Sequence, residues 1–192
     1  MIEEPRLFVA VPLEDQARAA VAALVETIRA GEPVGRGVRW VRLDGLHLTL
    51  RFLGPTSEAR VADLAAAVAR TAAASAPFGI RVAGADAFPP TGRPRTLWLD
   101  LDAGTDELAA LAARLDDELA SAGWERERRP FRAHLTLARA DGVRAGPATV
   151  AALKAAAAAI AIESPIDRIV LFESITGDGR ARYIARSEAA LG

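Results

Sequence analysis

Apolar positions along this chain switch repeatedly between short unbroken runs and helical spacing. Leu7 to Val11 is an apolar run closed by Pro12 and predicts a buried strand. Ala17, Ala20, Val21, Leu24, Val25 and Ile28 then recur at helical spacing until Gly31 and Pro33 end the pattern. Residues 37–43 and 47–53 read as two strands joined in a tight hairpin around Asp44-Gly45, a dipeptide suited to positive φ. Ser57 is placed to cap a second helix with Val61, Leu64, Ala65 and Val68 on one stripe, and a strand over 78–88 follows. The dense Pro/Gly segment from Pro89 to Arg95 predicts a crossover between halves.

Beyond it the grammar repeats. The pattern predicts a strand over 96–101 and a helix over 105–122 with Leu108, Leu111, Ala112, Leu115 and Leu119 inward and Gly123 as terminator. A strand over 132–138, a helix over 147–160 opened by Pro147, a strand over 166–175 and a last hairpin over Asp178-Gly179, returning through Tyr183 to Arg186, complete it. Two such units predict one internally duplicated α+β domain over residues 1–192, with pseudo-repeat halves of roughly 1–90 and 91–192 and equivalent positions meeting at a central groove.

The duplication is explicit at the histidines. The chain has two, and both open the same tetrapeptide: His47-Leu48-Thr49-Leu50 and His134-Leu135-Thr136-Leu137. At this chain's Leu and Thr content, chance would produce that match on the order of once in a few million sequences. In a strand, alternate side chains share a face. His47, Thr49 and Arg51 then point one way, with Leu48, Leu50 and Phe52 toward the core. Arg132, His134 and Thr136 share a face in the second copy, with Ala133, Leu135 and Leu137 behind. Each sheet thus presents an imidazole and a hydroxyl about 7 Å apart. Two such pairs facing each other suit acid–base chemistry at a phosphate, because imidazole offers both protonation states near neutral pH. Thr49, Thr136 and Arg132 are the candidate contacts to the non-bridging oxygens. That scheme uses no metal or other cofactor. Tyr183, the only tyrosine, either stacks on a base or packs at its strand end; Phe52 and Phe131 flank the motifs as candidates for a base pocket, though alternation places Phe52 in the core; Arg180 and Arg182 form either a basic lip or a plain hairpin.

Composition narrows the field around this motif. With no cysteine a disulfide framework is excluded, and with two histidines a zinc site would have to recruit carboxylates. Against 25 acidic residues the 24 basic ones leave a formal charge of −1, which argues against coating nucleic acid but allows a local basic site. Lys154 is the single lysine; the arginine excess fits a GC-rich coding bias better than phosphate-reading forks. The start, Met1-Ile2-Glu3-Glu4, is acidic where an export signal is basic, and the apolar stretch from Ala155 to Ile162 falls short of the ~20 residues of a membrane span. A cytoplasmic chain that does not enter the membrane is expected, and no protein partner is implied.

The paired motifs resemble the two His-x-Thr-x signatures of the 2H phosphoesterases. Arg6 to Pro12, Val38 to Val41, His47 to Gly54, Arg93 to Leu99 and Arg129 to Arg139 are similar to blocks of the RNA 2′,3′-cyclic phosphodiesterases, or 2′-5′ RNA ligase-like proteins. The resemblance covers nearly the whole chain, departing at Ala133, where relatives often carry proline, and in the loosely matching ending from Gly177. It implies a bilobal α+β fold, two antiparallel sheets facing a central groove with helices outside. It also implies metal-independent hydrolysis of a terminal RNA 2′,3′-cyclic phosphate to a 2′-phosphomonoester, with 2′-5′ ligation as the reverse reaction. By the same resemblance His47 is the proton donor and His134 the proton acceptor. The residues alone leave open a 2H phosphoesterase for a small cyclic-phosphate nucleotide or a 2′-5′ oligonucleotide, and a non-catalytic RNA-end-binding protein.

Overall fold

The structure, a computed structural model, describes residues 4–30, 38–90, 93–139, 147–175 and 181–192. In chain order, β1 (Arg6–Pro12) leads to α1 (Asp15–Ala30), and β2 (Arg39–Trp40) passes through a 3-10 turn (Leu43–Gly45) into β3 (His47–Pro55). A second 3-10 turn (Glu58–Arg60) opens α2 (Val61–Ala73), followed by β4 (Phe78–Phe88). The rest comprises β5 (Thr96–Ala103), α3 (Thr105–Ser121), β6 (Leu135–Arg139), α4 (Pro147–Ala157), β7 (Ile162–Ile166), β8 (Arg168–Ile175) and β9 (Arg182–Ala190).

Two antiparallel sheets result, one of order β3-β1-β8-β9 and one of order β2-β6-β5-β4-β7. The motif strands β3 and β6 hold matching places, each beside a central strand, β1 or β5. Each half of the chain lends strands to the other: β4 of the first half pairs with β5, and β8 of the second half pairs with β1 and brings β9 with it. The helices cover the outer faces, α2 and α3 on the sheet of β3, α1 and α4 on the sheet of β4 and β7. Their apolar stripes dictate this. Ala17, Val21, Val25 and Ile28 of α1, and Leu108, Leu111, Ala112, Leu115 and Leu119 of α3, are buried as their spacing predicts. Leu7, Val9 and Val11 of β1 are fully enclosed in the same hydrophobic core. Among the described residues no helix is long and apolar enough to cross a membrane.

Several predicted connections differ. Residues 39–53 form no hairpin, because β2 pairs with β6 and β3 with β1; the chain changes sheet across the 3-10 turn that Asp44 and Gly45 occupy. The Pro89 to Arg95 segment is no crossover either: it joins neighbours β4 and β5, and Arg95 N–H donates to Phe88 O over 2.7 Å. The strand expected over 166–175 begins earlier and breaks at Asp167, where β7 and β8 part to different sheets. The second motif strand starts at Leu135, three residues late, and α4 stops at Ala157. Ser57 precedes the 3-10 turn before α2, and its side chain caps nothing. The expected turn features at Gly31, Pro33, Gly37, Thr91, Gly92 and Asp178-Gly179 lie outside the described residues.

Candidate active site

Both sheets contribute to one cavity of about 500 Å³, with His47, Thr49, His134 and Thr136 in its lining. Local geometry repeats at the two motifs. His47 Nδ1 donates to Gly45 O at 2.7 Å, and His134 Nδ1 to Arg132 O at 2.9 Å, each two residues back along the chain. A carbonyl only accepts, so each Nδ1 carries the proton and each Nε2 is free to give or take one. The hydroxyls of Thr49 and Thr136 make no hydrogen bond among the described residues and are available to a ligand.

The duplication extends to a β-bulge that strand alternation does not reveal. On β3 the register passes from Ala10↔Thr49 to Val9↔Arg51, leaving Leu50 unpaired; on β6 it passes from Trp98↔Thr136 to Leu97↔Ala138, leaving Leu137 unpaired. Each bulge stands three residues after its histidine and inverts the alternation beyond it. Leu50 and Arg51 therefore both turn inward, as do Leu137 and Ala138, and the following residues, Phe52 and Arg139, return to the cavity. This corrects the expectation for Phe52: the residue is 56% exposed and lies on the cavity wall, outside the core. Arg51 leaves the face of His47 and pairs with Asp116 behind it.

Surroundings separate the two imidazoles. The His47 ring lies 4.9 Å from Phe8 and 6.0 Å from Phe172, with Tyr183 edge-on at 5.0 Å. Burial pushes its pKa down to about 4, against the raising effect of the Gly45 hydrogen bond and with help from the Arg139 and His134 charges. Among the described residues His134 meets a single ring, Trp98, edge-on at 5.7 Å, and its Nδ1 hydrogen bond is exposed where that of His47 is partly buried. Tyr183 is thus a packing partner of His47 that also walls the cavity; a Cβ at Gly45 would stand 3.0 Å from its ring.

The structure brings four of the five predicted site residues together and sets Arg132 apart. Arg132 precedes β6 in an irregular segment, and its guanidinium lies 4.5 Å over the Trp98 ring, outside the cavity lining. Arg6, Arg39, Arg42 and Arg139 line the cavity instead. Sequence reading missed these four. The signal for Arg139 was its offset of five from His134, the same as that of Phe52 from His47, which acquires meaning only through the bulge. Phe131 packs against the core edge, Arg182 is exposed outside the lining, and Arg180 lies outside the described residues.

Comparison with known proteins agrees with this arrangement. An Archaeoglobus fulgidus protein named RNA 2′,3′-cyclic phosphodiesterase is 34% identical over 134 residues, 70% of this chain and 72% of the relative. A Geobacillus stearothermophilus protein of the same name is 36% identical over 135 residues, 69% of this chain; the match spans 41% of that longer relative. A crystal structure from Thermus thermophilus superposes with a TM-score of 0.78 at 29% identity, covering 97% of both chains. The family model of the 2′-5′ RNA ligase superfamily matches residues 11–178, and with both histidine motifs inside that span on one cavity, the chain belongs to this superfamily.

Proposed function

We propose that the cavity hydrolyses a terminal RNA 2′,3′-cyclic phosphate to a 2′-phosphomonoester by paired-imidazole acid–base catalysis. The observation that carries this reading is the pair of Nδ1-anchored imidazoles sharing one cavity with two unpartnered threonine hydroxyls. The name shared by the relatives supplies the substrate class. The site's volume suits a small-ligand group, the end of a strand rather than its length.

In the reaction a water oxygen attacks phosphorus while the bond from phosphorus to the ribose 3′ oxygen breaks. His134 Nε2 takes the water proton and His47 Nε2 gives one to the departing oxygen. Thr49 and Thr136 donate to the non-bridging oxygens, and Arg139 on the wall stands where Arg132 was expected, offsetting the growing negative charge. Because burial keeps His47 neutral in the free protein, the donor role requires the bound phosphodiester anion to raise it.

The test is turnover, with EDTA present, of an oligonucleotide ending in a 2′,3′-cyclic phosphate, beside a cyclic mononucleotide. A 2′-phosphate product is expected, with at least a hundredfold loss of rate in His47→Ala and in His134→Ala. Placing sulfur at the bridging 3′ position makes a leaving group that needs no proton. That substrate should rescue His47→Ala and not His134→Ala; the opposite pattern exchanges the two roles. Binding without turnover would overturn the enzymatic reading, and preference for the mononucleotide would reassign the substrate.

A further inference from the structure

Two arginines from the chain segment that carries the first motif grip the segment that leads to the second. Residues 122–134 run without regular structure from the end of α3 to His134. Arg60, in the 3-10 turn after β3, donates from Nη2 to Ala122 O at 3.0 Å and lays its guanidinium 3.6 Å over the Trp124 ring. Arg51, four residues past His47, donates from Nη2 to Glu125 O. Its Nη1 lies 3.1 Å from Asp116 Oδ1 and 3.6 Å from Glu127 Oε2. Asp116 Oδ1 in turn accepts from Glu127 N–H at 3.0 Å. Glu127 is held near 2 chiefly by its hydrogen bonds from Arg129, so it remains ionised at any working pH.

The Arg51 side chain is only 10% exposed, and neither its Nε nor its Nη1 donates a hydrogen bond among the described residues, so Asp116 and Glu127 hold Nη1 by charge alone. An apolar residue of similar volume would fill this place without that desolvation cost. What it could not do is tie β3 to a loop. β3 and β6 belong to different sheets and share no ladder pairing, so a link of this kind adds to the few direct contacts that hold the two strands across the cavity.

We infer that Arg51, seconded by Arg60, is a positioning residue for the proposed reaction: it ties the 122–134 segment, and through it His134 and Thr136, to the strand that carries His47 and Thr49. The inference rests on the function proposed above. Displacing a catalytic group by about 1 Å costs on the order of a hundredfold in rate, whereas binding tolerates such shifts better.

The test compares folded Arg51→Met, Arg51→Lys and wild type on the cyclic-phosphate oligonucleotide, with Arg70→Met as a control that removes the exposed ion pair to Glu118 between α2 and α3. Arg51→Met should lose at least tenfold in kcat with KM changed less than threefold. Arg51→Lys, which keeps the charge but not the fork, should recover part of the loss, and Arg70→Met should stay within twofold. If Arg51→Met fails to fold, Asp116→Asn gives the same reading, with the shape retained. A readout independent of turnover is the NMR shift of each imidazole Cε1 with inorganic phosphate. Wild type should respond at both rings; in the variant the His134 response should fall by more than half while that of His47 persists. Equal responses, or kcat within twofold in folded Arg51→Met, overturn the inference. A wild type that binds phosphate at both rings yet turns over no cyclic phosphate would overturn the function reading and leave the brace standing.

Discussion

His47 and His134 carry the same neighbours in sequence and differ in what the fold packs against them. The aromatic enclosure of His47 disfavours its cation, so its folded pKa of about 4 lies below the ordinary 6.5. A base whose pKa is lowered on folding contributes stability that is complete above the unfolded value and is lost as pH falls through 6.5 toward 4. Up to about 3 kcal/mol is involved, the product of the shift and 1.36 kcal/mol per unit. Urea unfolding at pH 7.5 and 4.5 should show this loss in wild type and lack it in His47→Gln. An NMR titration should place His47 near 4 in the free protein, and a saturating phosphate ligand should move it up by at least one unit. A value that ligand leaves unchanged would rule out the donor role. The residue types and their pairing were legible in the sequence. Their inequality was not, because Phe8, Phe172 and Tyr183 come from three separate strands.

At the scale of elements, the bulges at Leu50 and Leu137 decide which side chains line the cavity. Strict alternation makes Phe52 a core residue; the bulge makes it a cavity wall. The two placements differ in energy. Truncating a buried phenylalanine costs about 3–5 kcal/mol, whereas a mostly exposed ring leaves no cavity in the core. Phe52→Ala should therefore lower stability by less than about 1 kcal/mol, and Leu48→Ala, fully buried on the same strand, by about 2–5 kcal/mol. Denaturant midpoints for both variants check this, and a large loss in Phe52→Ala would refute the bulged register. Strands and helices were legible wherever one face is apolar over several turns, as in α1, α3 and β4. Connections were not: a Gly-containing turn bends the chain equally well within one sheet or between two, as Asp44-Gly45 does here.

For the whole molecule, the exchanged strands make the two halves interdependent. In a fragment of residues 1–90, β4 lacks both its partners β5 and β7, and β1 lacks β8. A sheet reduced to the single pair β1 and β3 is marginal in water. Fragments 1–90 and 91–192, each made alone, should show no cooperative thermal transition by circular dichroism, while the full chain unfolds in one. A fragment that melts cooperatively would mean that its half folds without the exchange.

Taken alone, the sequence determined the duplicated motif, the polar and apolar faces of most elements and the candidate acid–base residues, because each depends on residue type and spacing within a short window. Tertiary structure decided which sheet each strand joined, the cavity's arginines, the place of Arg132 and the difference between the histidines. Those depend on contacts between distant segments: β4 finds β5, Trp98 takes the Arg132 guanidinium, and rings from β1, β8 and β9 close around His47. Local pattern specifies a face and a period; which partner fills that face is settled only by the collapse of the whole chain.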